Sequence, residues 1–281
     1  MAEWFLLVYL GITSVVALVR LPGFPPMVWV LLANFLYAIL IFLAARPELG
    51  RAAEVLRDVY PILLLGALYP ALDILNYFGG ITTHDLAVRG WEVALFGEEL
   101  SRTWWQRFPS AFWSTVLHGA YFGYYPIIAA PLVVFLIRGD MVAARRAALW
   151  LVTTFLLSYL IFLAYPVAGP YYEFPRPDPG FLDNRAARLV YATLERGSAY
   201  GAAFPSSHVA ATLVATAAAF LGSRLLGWLL VVPAVLLTVG VVYCQMHYAV
   251  DALAGVLLAT LIIVAGNLLE RGAAGAHRFE E

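Results

Sequence analysis

Two short stretches of this chain place a histidine at the mouth of a long apolar run. They are Ala203-Phe204-Pro205-Ser206-Ser207-His208, and His247-Tyr248-Ala249-Val250-Asp251 followed by Gly255. His247 and Asp251 stand four apart, which puts them on one face of a helix start. A carboxylate there can hold an imidazole in one tautomer and support the positive charge the ring gains when its other nitrogen attacks an electrophile. His208 is then free for the second duty, delivering a proton to a leaving oxygen. Pro205 suits the first turn of a helix, so Ser206, Ser207 and His208 are expected where unpaired backbone N–H groups and the positive end of the macrodipole attract an anion such as phosphate.

Either histidine by itself is more often a hydrogen-bonded structural residue than a catalyst. Two of them, with a carboxylate at i+4 and a Pro-Ser-Ser helix start at similar depth, form a constellation that points to catalysis. The same two histidines with Asp251 are also a set that zinc can use. No further His, Cys or Glu stands beside either motif in the chain, so the expectation is a site without a metal or cofactor.

These residues resemble the signature of the type 2 phosphatidic acid phosphatase superfamily, whose motifs read Pro-Ser-x-His and His-x-x-x-Asp with a downstream Gly. The matches are Pro205-Ser206-Ser207-His208 and His247 to Asp251. The resemblance implies that His247 is the nucleophile, forming a phosphohistidine, and that His208 is the acid. A third motif, Lys-x6-Arg-Pro, is half present: Arg176-Pro177 fits, while Gly169 stands where the lysine belongs. Val241 stands where an arginine usually precedes the nucleophile. The looser forms Phe-Pro-Ser-x-His and His-Tyr-x-x-Asp are similar to the branch that includes inositol phosphorylceramide and sphingomyelin synthases. The motif-bearing resemblance runs from Tyr165 to Gly255.

What must position these residues is a membrane bundle. Of 281 residues, 63% are hydrophobic and only 12% charged, against roughly one-quarter charged in a soluble domain. Mean hydropathy is +0.82. Net charge of −1 gives no argument for nucleic acid, and the single Cys244 permits no intramolecular disulfide. Every basic residue is Arg and none is Lys, so arginine, hydroxyls and backbone N–H groups remain for holding phosphate.

Since roughly 20 apolar residues cross a bilayer, spanning segments are expected near 4–19, 27–45, 61–78, 111–137, 147–165, 205–222, 226–244 and 247–269. The fold class is therefore an all-α, polytopic integral membrane helix bundle of about eight helices. It forms a single domain over 1–281, with N-terminal helices and an outer interfacial loop in 1–145 and a catalytic helix core in 146–270. No small-residue cleavage pattern follows the first helix, which is read as a retained anchor. An even count puts both termini on one side. Arg46, Arg51, Arg57, Arg138, Arg145, Arg146 and Arg224, with Arg271 and Arg278, share that side, which the positive-inside rule makes cytoplasmic. The histidine motifs then face the extracytoplasmic side of a plasma (inner) membrane, at its outer leaflet.

The connecting segments carry their own expectations. Residues 47–60 place Leu49, Ala53, Leu56 and Tyr60 on one stripe, as in a short surface helix. Loop 79–110 interleaves Trp91, Phe96, Trp104, Trp105 and Phe108 with Glu92, Glu98, Glu99, Arg102 and Arg107; it is expected in the headgroup region, as an anchor or as the flank of a lipid entrance. In loop 166–204 the proline-rich stretch presents Arg176 as a fork for phosphate oxygens. A helix is expected from Asp183, its cap, to Arg196, with Gly197 as its stop. Tyr69, Asp73 and Asn76 share one helix face, and Ser114, His118, Tyr121 and Tyr125 another. Asp73, His118 and Tyr121 are expected either to form a polar cup for a headgroup or acceptor, or to fix helix packing by hydrogen bonds.

The function expected is cleavage of a lipid phosphate ester or anhydride. His247, Asp251 and His208 do the chemistry, and Arg176, Ser206 and Ser207 hold the phosphoryl charge. The partners are a lipid phosphate, membrane lipids and a polyol or lipid acceptor. The alternatives are transfer of a phosphoryl-headgroup to inositol or a lipid hydroxyl, and a non-catalytic transporter or scaffold.

Overall fold

The computed structural model describes residues 2–44, 60–76 and 80–277. The expected surface helix at 47–60, apart from Tyr60, lies outside the described residues, as do Arg46, Arg51, Arg57 and Arg278. The helices are α1 (Ala2–Arg20), α2 (Met27–Ala44), α3 (Tyr60–Asn76, with a turn at Tyr69-Pro70), α4 (Asp85–Phe96), α5 (Leu100–Arg107), α6 (Ala111–Phe122) and α7 (Tyr124–Arg138). They continue as α8 (Met141–Ala164), α9 (Arg185–Gly197), α10 (Ser207–Gly222), α11 (Arg224–Tyr243) and α12 (Ala249–His277). Among the described residues there is no strand, only a bridge between Val167 and Ala202. The chain is an all-α helix bundle.

Its outside requires lipid. Trp29, Phe35, Leu229 and Leu257, on α2, α11 and α12, are 61–63% exposed, an apolar surface that water would penalise. Among the described residues five helices are long and apolar enough to cross a membrane, and six if α6 and α7 count as one span bent by 42°. Pro126 in the first turn of α7 has no N–H to give the Phe122 carbonyl, which breaks the ladder at Gly123. The other two predicted spans are helices shorter than the rest, α3 and α10.

The reason for the short α10 is its place. It packs against α7, α8, α11 and α12 at once, and Ala210, Ala211, Ala215, Ala218 and Ala219 are at most 1% exposed. Alanine at those positions lets four neighbours approach closely. A helix of 16 residues is only about 24 Å long against a hydrocarbon core of ~30 Å. Packed by protein on most sides, it has only the narrow stripe of Leu213, Ala217, Phe220 and Leu221 left to meet lipid.

Candidate active site

The site forms where α10 and α12 begin. Pro205 does not enter the first turn as the sequence suggests: Ser206 is the N-cap and α10 starts at Ser207. The Ser206 hydroxyl accepts from Val209 N at 3.3 Å, and Ser206 N donates to the Asp251 backbone carbonyl at 2.9 Å. Ser206 is thus occupied in joining the two helix starts. Ser207 lies inside the helix and His208 one residue on, both at the wall of a cavity.

The starts of α10 and α12 meet at a glycine. A Cβ built on Gly255 would lie 2.6 Å from the Ser206 carbonyl oxygen and 3.1 Å from Val209 Cβ. Backbone cannot yield as a flexible side chain can, so Gly255→Val is expected to cost on the order of 1–3 kcal/mol by overpacking. A lowered thermal midpoint in detergent, with Leu257→Val at an exposed position of the same helix as the control, checks it.

His247 stands in the loop between α11 and α12, not inside the helix expected over 247–269. Its ring centroid is 5.6 Å from that of His208, and its Nδ1 is 3.5 Å from Asp251 Oδ2. That distance is longer than a hydrogen bond, and Nδ1 has no hydrogen-bond partner among the described residues. Asp251 is fully buried, and its Oδ2 accepts from Tyr248 N at 2.9 Å. Burial pushes the His247 pKa down to about 4, opposed by a backbone hydrogen bond at Ala203, so the ring is neutral at pH 7. His208 is gripped by two phenol rings, Tyr121 stacked at 4.8 Å and Tyr124 tilted at 4.4 Å.

The two imidazoles line a recess of about 40 Å³ together with Tyr69, Tyr121, Ala203 and Met246. Tyr69, Tyr121 and His208 also line an adjoining cavity of about 430 Å³. Ile62, Leu65, Ile128 and Phe155 make that larger space mostly apolar. A charged reacting group next to a hydrocarbon-lined space suits an amphipathic molecule.

Other predicted site residues have different places. Asp73 Oδ1 accepts from Tyr200 N at 2.6 Å, Tyr69 OH accepts from Ala199 N at 3.3 Å, and Asn76 Nδ2 donates to Tyr200 O at 3.1 Å. The predicted α3 stripe is therefore spent on the backbone that leads into the first motif. His118 Nδ1 lies 2.8 Å from Ser114 O and 3.4 Å from Cys244 Sγ, with Phe181 and Tyr191 against its ring. Neither Asp73 nor His118 lines the recess or the cavity; Tyr121 lines both. Arg176 is held on the surface by Glu195 at 2.9 Å, with its guanidinium over Tyr191. The helix after it is capped by Asn184, not Asp183: the Asn184 side-chain Oδ1 accepts from Ala187 N at 2.8 Å.

Sequence reading counted Glu92 and Trp105 among interfacial residues and passed over Asp85 and Gln245. Trp105 is 5% exposed, and its indole N–H donates to Gln245 Oε1 at 2.9 Å. Gln245 has φ +60 and ties on to Pro175 O at 2.8 Å. Asp85 and Glu92 are 3% and 0% exposed. Their signal was the inward stripe Asp85, Val88, Glu92 on α4, at helical spacing.

Gly169, where the resemblance calls for lysine, has φ +91, and a Cβ there would sit 2.8 Å from Ala203 Cβ. A side chain is excluded by both conformation and space. One family model, described as the PAP2 superfamily, matches residues 93–265. No curated protein and no solved structure matches the chain.

Proposed function

The chain belongs to the PAP2 superfamily, and from that premise we propose that it cleaves a lipid phosphate ester or anhydride through a phosphohistidine on His247. Membership makes it, in general terms, a membrane enzyme of the phosphatase or phosphotransferase type. The observation that carries the finer reading is the pair of imidazoles 5.6 Å apart at the edge of an apolar cavity, one of them backed by the Asp251 carboxylate 3.5 Å from its Nδ1.

In this reading Nδ1 of His247 faces Asp251, and Nε2 attacks phosphorus. The N–P bond forms as the bond from phosphorus to the leaving oxygen breaks, and His208 gives that oxygen its proton. Asp251 supports the charge on the phosphorylated ring. In the second half, His208 takes a proton from the incoming hydroxyl, whose oxygen displaces His247. Ser207, the first N–H groups of α10 and Arg176, once released from Glu195, hold the phosphoryl oxygens. An ion pair as exposed as Arg176–Glu195 is worth little, so its exchange for phosphate is easy. The lipid chain lies in the adjoining apolar cavity.

A second reading, transfer to inositol or a lipid hydroxyl rather than to water, is favoured by Gly169. Its left-handed backbone keeps the lysine of the phosphatase pattern out of the site, as in the looser branch that the motifs resemble. Tyr121, Tyr124 and Tyr125 offer phenols along the cavity for an alcohol acceptor. Asp73 and His118 then act on the acceptor only through the packing they maintain.

Purified protein incubated with labelled lipid phosphates, with and without inositol, tests both readings. Free phosphate supports hydrolysis and a new labelled lipid supports transfer; no turnover of any lipid phosphate overturns the proposal. The proposed orientation, with cytoplasmic termini and an extracytoplasmic site in the plasma membrane, has its own check. A cysteine placed in loop 166–204, with Cys244 replaced, is expected to react with an impermeant thiol reagent on intact cells, and one in loop 138–146 is not. The reverse pattern means that the site faces inward.

A further inference from the structure

Residues 85–92 of α4 precede the matched region, yet they reach the proposed nucleophile through two buried carboxylates. Glu92 Oε1 accepts from Ala249 N at 2.8 Å and from Ser101 N at 3.1 Å, and its Oε2 accepts from Ser101 Oγ at 3.0 Å. Asp85 Oδ1 accepts from Gly169 N at 2.8 Å and from the Tyr248 hydroxyl at 3.0 Å. Its Oδ2 accepts from Ala168 N at 2.9 Å. Burying a carboxylate is costly unless its oxygens are bonded, and here every oxygen is. The bonds fall on the residues that frame His247: Tyr248 and Ala249 follow it, and the 168–169 turn packs against Ala203 in the same recess.

These anchors matter because Asp251 does not fix the ring by itself. Its contact to His247 Nδ1 is 3.5 Å, longer than a hydrogen bond. The orientation of His247 toward His208 therefore depends on the backbone on either side. Ala249 N is the first N–H of α12, an orphan donor that water or a cap must satisfy. Glu92 caps it from another helix, so α12 and α4 are locked together just beyond the nucleophile. Ser101, on α5, closes the same joint.

We infer that Asp85 and Glu92 are positioning residues, which act through the backbone at 168–169 and 248–249 to hold His247 facing His208. The inference rests on the reading of His247 as nucleophile for its kinetic arm only. Glutamine at 92 can keep all three bonds, with Oε1 accepting both N–H groups and Nε2 donating to Ser101 Oγ. Asparagine at 85 cannot, because each Asp85 oxygen accepts a backbone N–H and one of these would meet an amide NH₂.

The test compares full-length Asp85→Asn, Glu92→Ala and Glu92→Gln in detergent, each shown to be folded by its elution profile and thermal midpoint. Since a misplacement of about 1 Å costs on the order of 100-fold, Asp85→Asn and Glu92→Ala are expected to lower kcat about 10- to 100-fold with KM little changed, and Glu92→Gln to restore most of it. A second readout needs no substrate: diethyl pyrocarbonate modification of His247, followed by mass spectrometry, is expected to run several-fold faster in Asp85→Asn and Glu92→Ala than in the parent or Glu92→Gln. Unchanged kcat and unchanged labelling in folded variants overturn the inference, as does a rise in KM alone, which means substrate contact. A Glu92→Gln variant as slow as Glu92→Ala also overturns it, since charge would then be what matters. If the parent turns over no lipid phosphate, the proposed reaction fails while the labelling pattern still decides the positioning role.

Discussion

His247→Ala is expected to abolish turnover while leaving a folded protein. His247 sits in the loop between α11 and α12 and carries no hydrogen bond at Nδ1 among the described residues, so removing its ring gives up its bond at the Ala203 backbone but none of the bonds at the start of α12. The joints beside it, Tyr248 N to Asp251 at 2.9 Å and Ala249 N to Glu92 at 2.8 Å, are made by backbone and survive the change. Without the imidazole no phosphohistidine forms, and a triad stripped of its nucleophile falls by roughly 10⁶-fold in the subtilisin comparison. The checks are turnover of a labelled lipid phosphate and acid-labile label bound to the protein. Near-normal turnover in the variant would remove the covalent mechanism. The pH profile supplies a further mark. With its pKa pushed down to about 4 by burial, His247 stays neutral and nucleophilic well below the usual range near 6.5. The acid limb due to this group is therefore expected near pH 4. Its contribution to stability runs the same way: between pH ~6.5 and about 4 the unfolded chain binds the proton that the folded ring refuses, so stability is lost as pH falls through that window.

Asp251→Asn is expected to be nearly as severe, for a different reason. Asparagine is isosteric, and its carbonyl oxygen can still accept from Tyr248 N, so the start of α12 is retained. What disappears is the negative charge 3.5 Å from the His247 Nδ1. In the proposed reaction the ring carries a positive charge once phosphorylated, and the buried carboxylate is its nearest compensation. In the serine-protease triad the equivalent change cost about 10⁴-fold in kcat, and a loss of that order is expected here. Parallel thermal melts of parent and variant separate it from misfolding. A variant that keeps more than a tenth of the parent's kcat would show that Asp251 serves only as the cap of Tyr248 N.

What the sequence by itself determined is what depends on composition and short spacing. A chain with 63% hydrophobic residues cannot be solvated by water, and runs near 20 residues long must be helical in lipid, because no solvent there satisfies an open backbone. His247 and Asp251 lie within 3.5 Å of each other although His247 stands in the loop before α12, so their short separation in the chain, and not a helix turn, made the pair legible. Gly255 in the second motif is explained by a close helix crossing.

The tertiary structure decided which partner each polar group takes. Asp73 and Asp85 look alike in sequence, as single carboxylates near a helix end. One bonds Tyr200 N and the other the turn at 168–169 with Tyr248. Arg176 fits the motif, yet in the folded chain Glu195 reaches it. Glu92 read as an interfacial charge because its partner Ala249 lies far along the chain. A buried carboxylate goes to whichever backbone N–H groups the fold leaves orphaned, and those are set by how helices end against one another. Periodicity carries no record of that, so the two histidine motifs were legible in the sequence while the carboxylates bonded beside His247 were not.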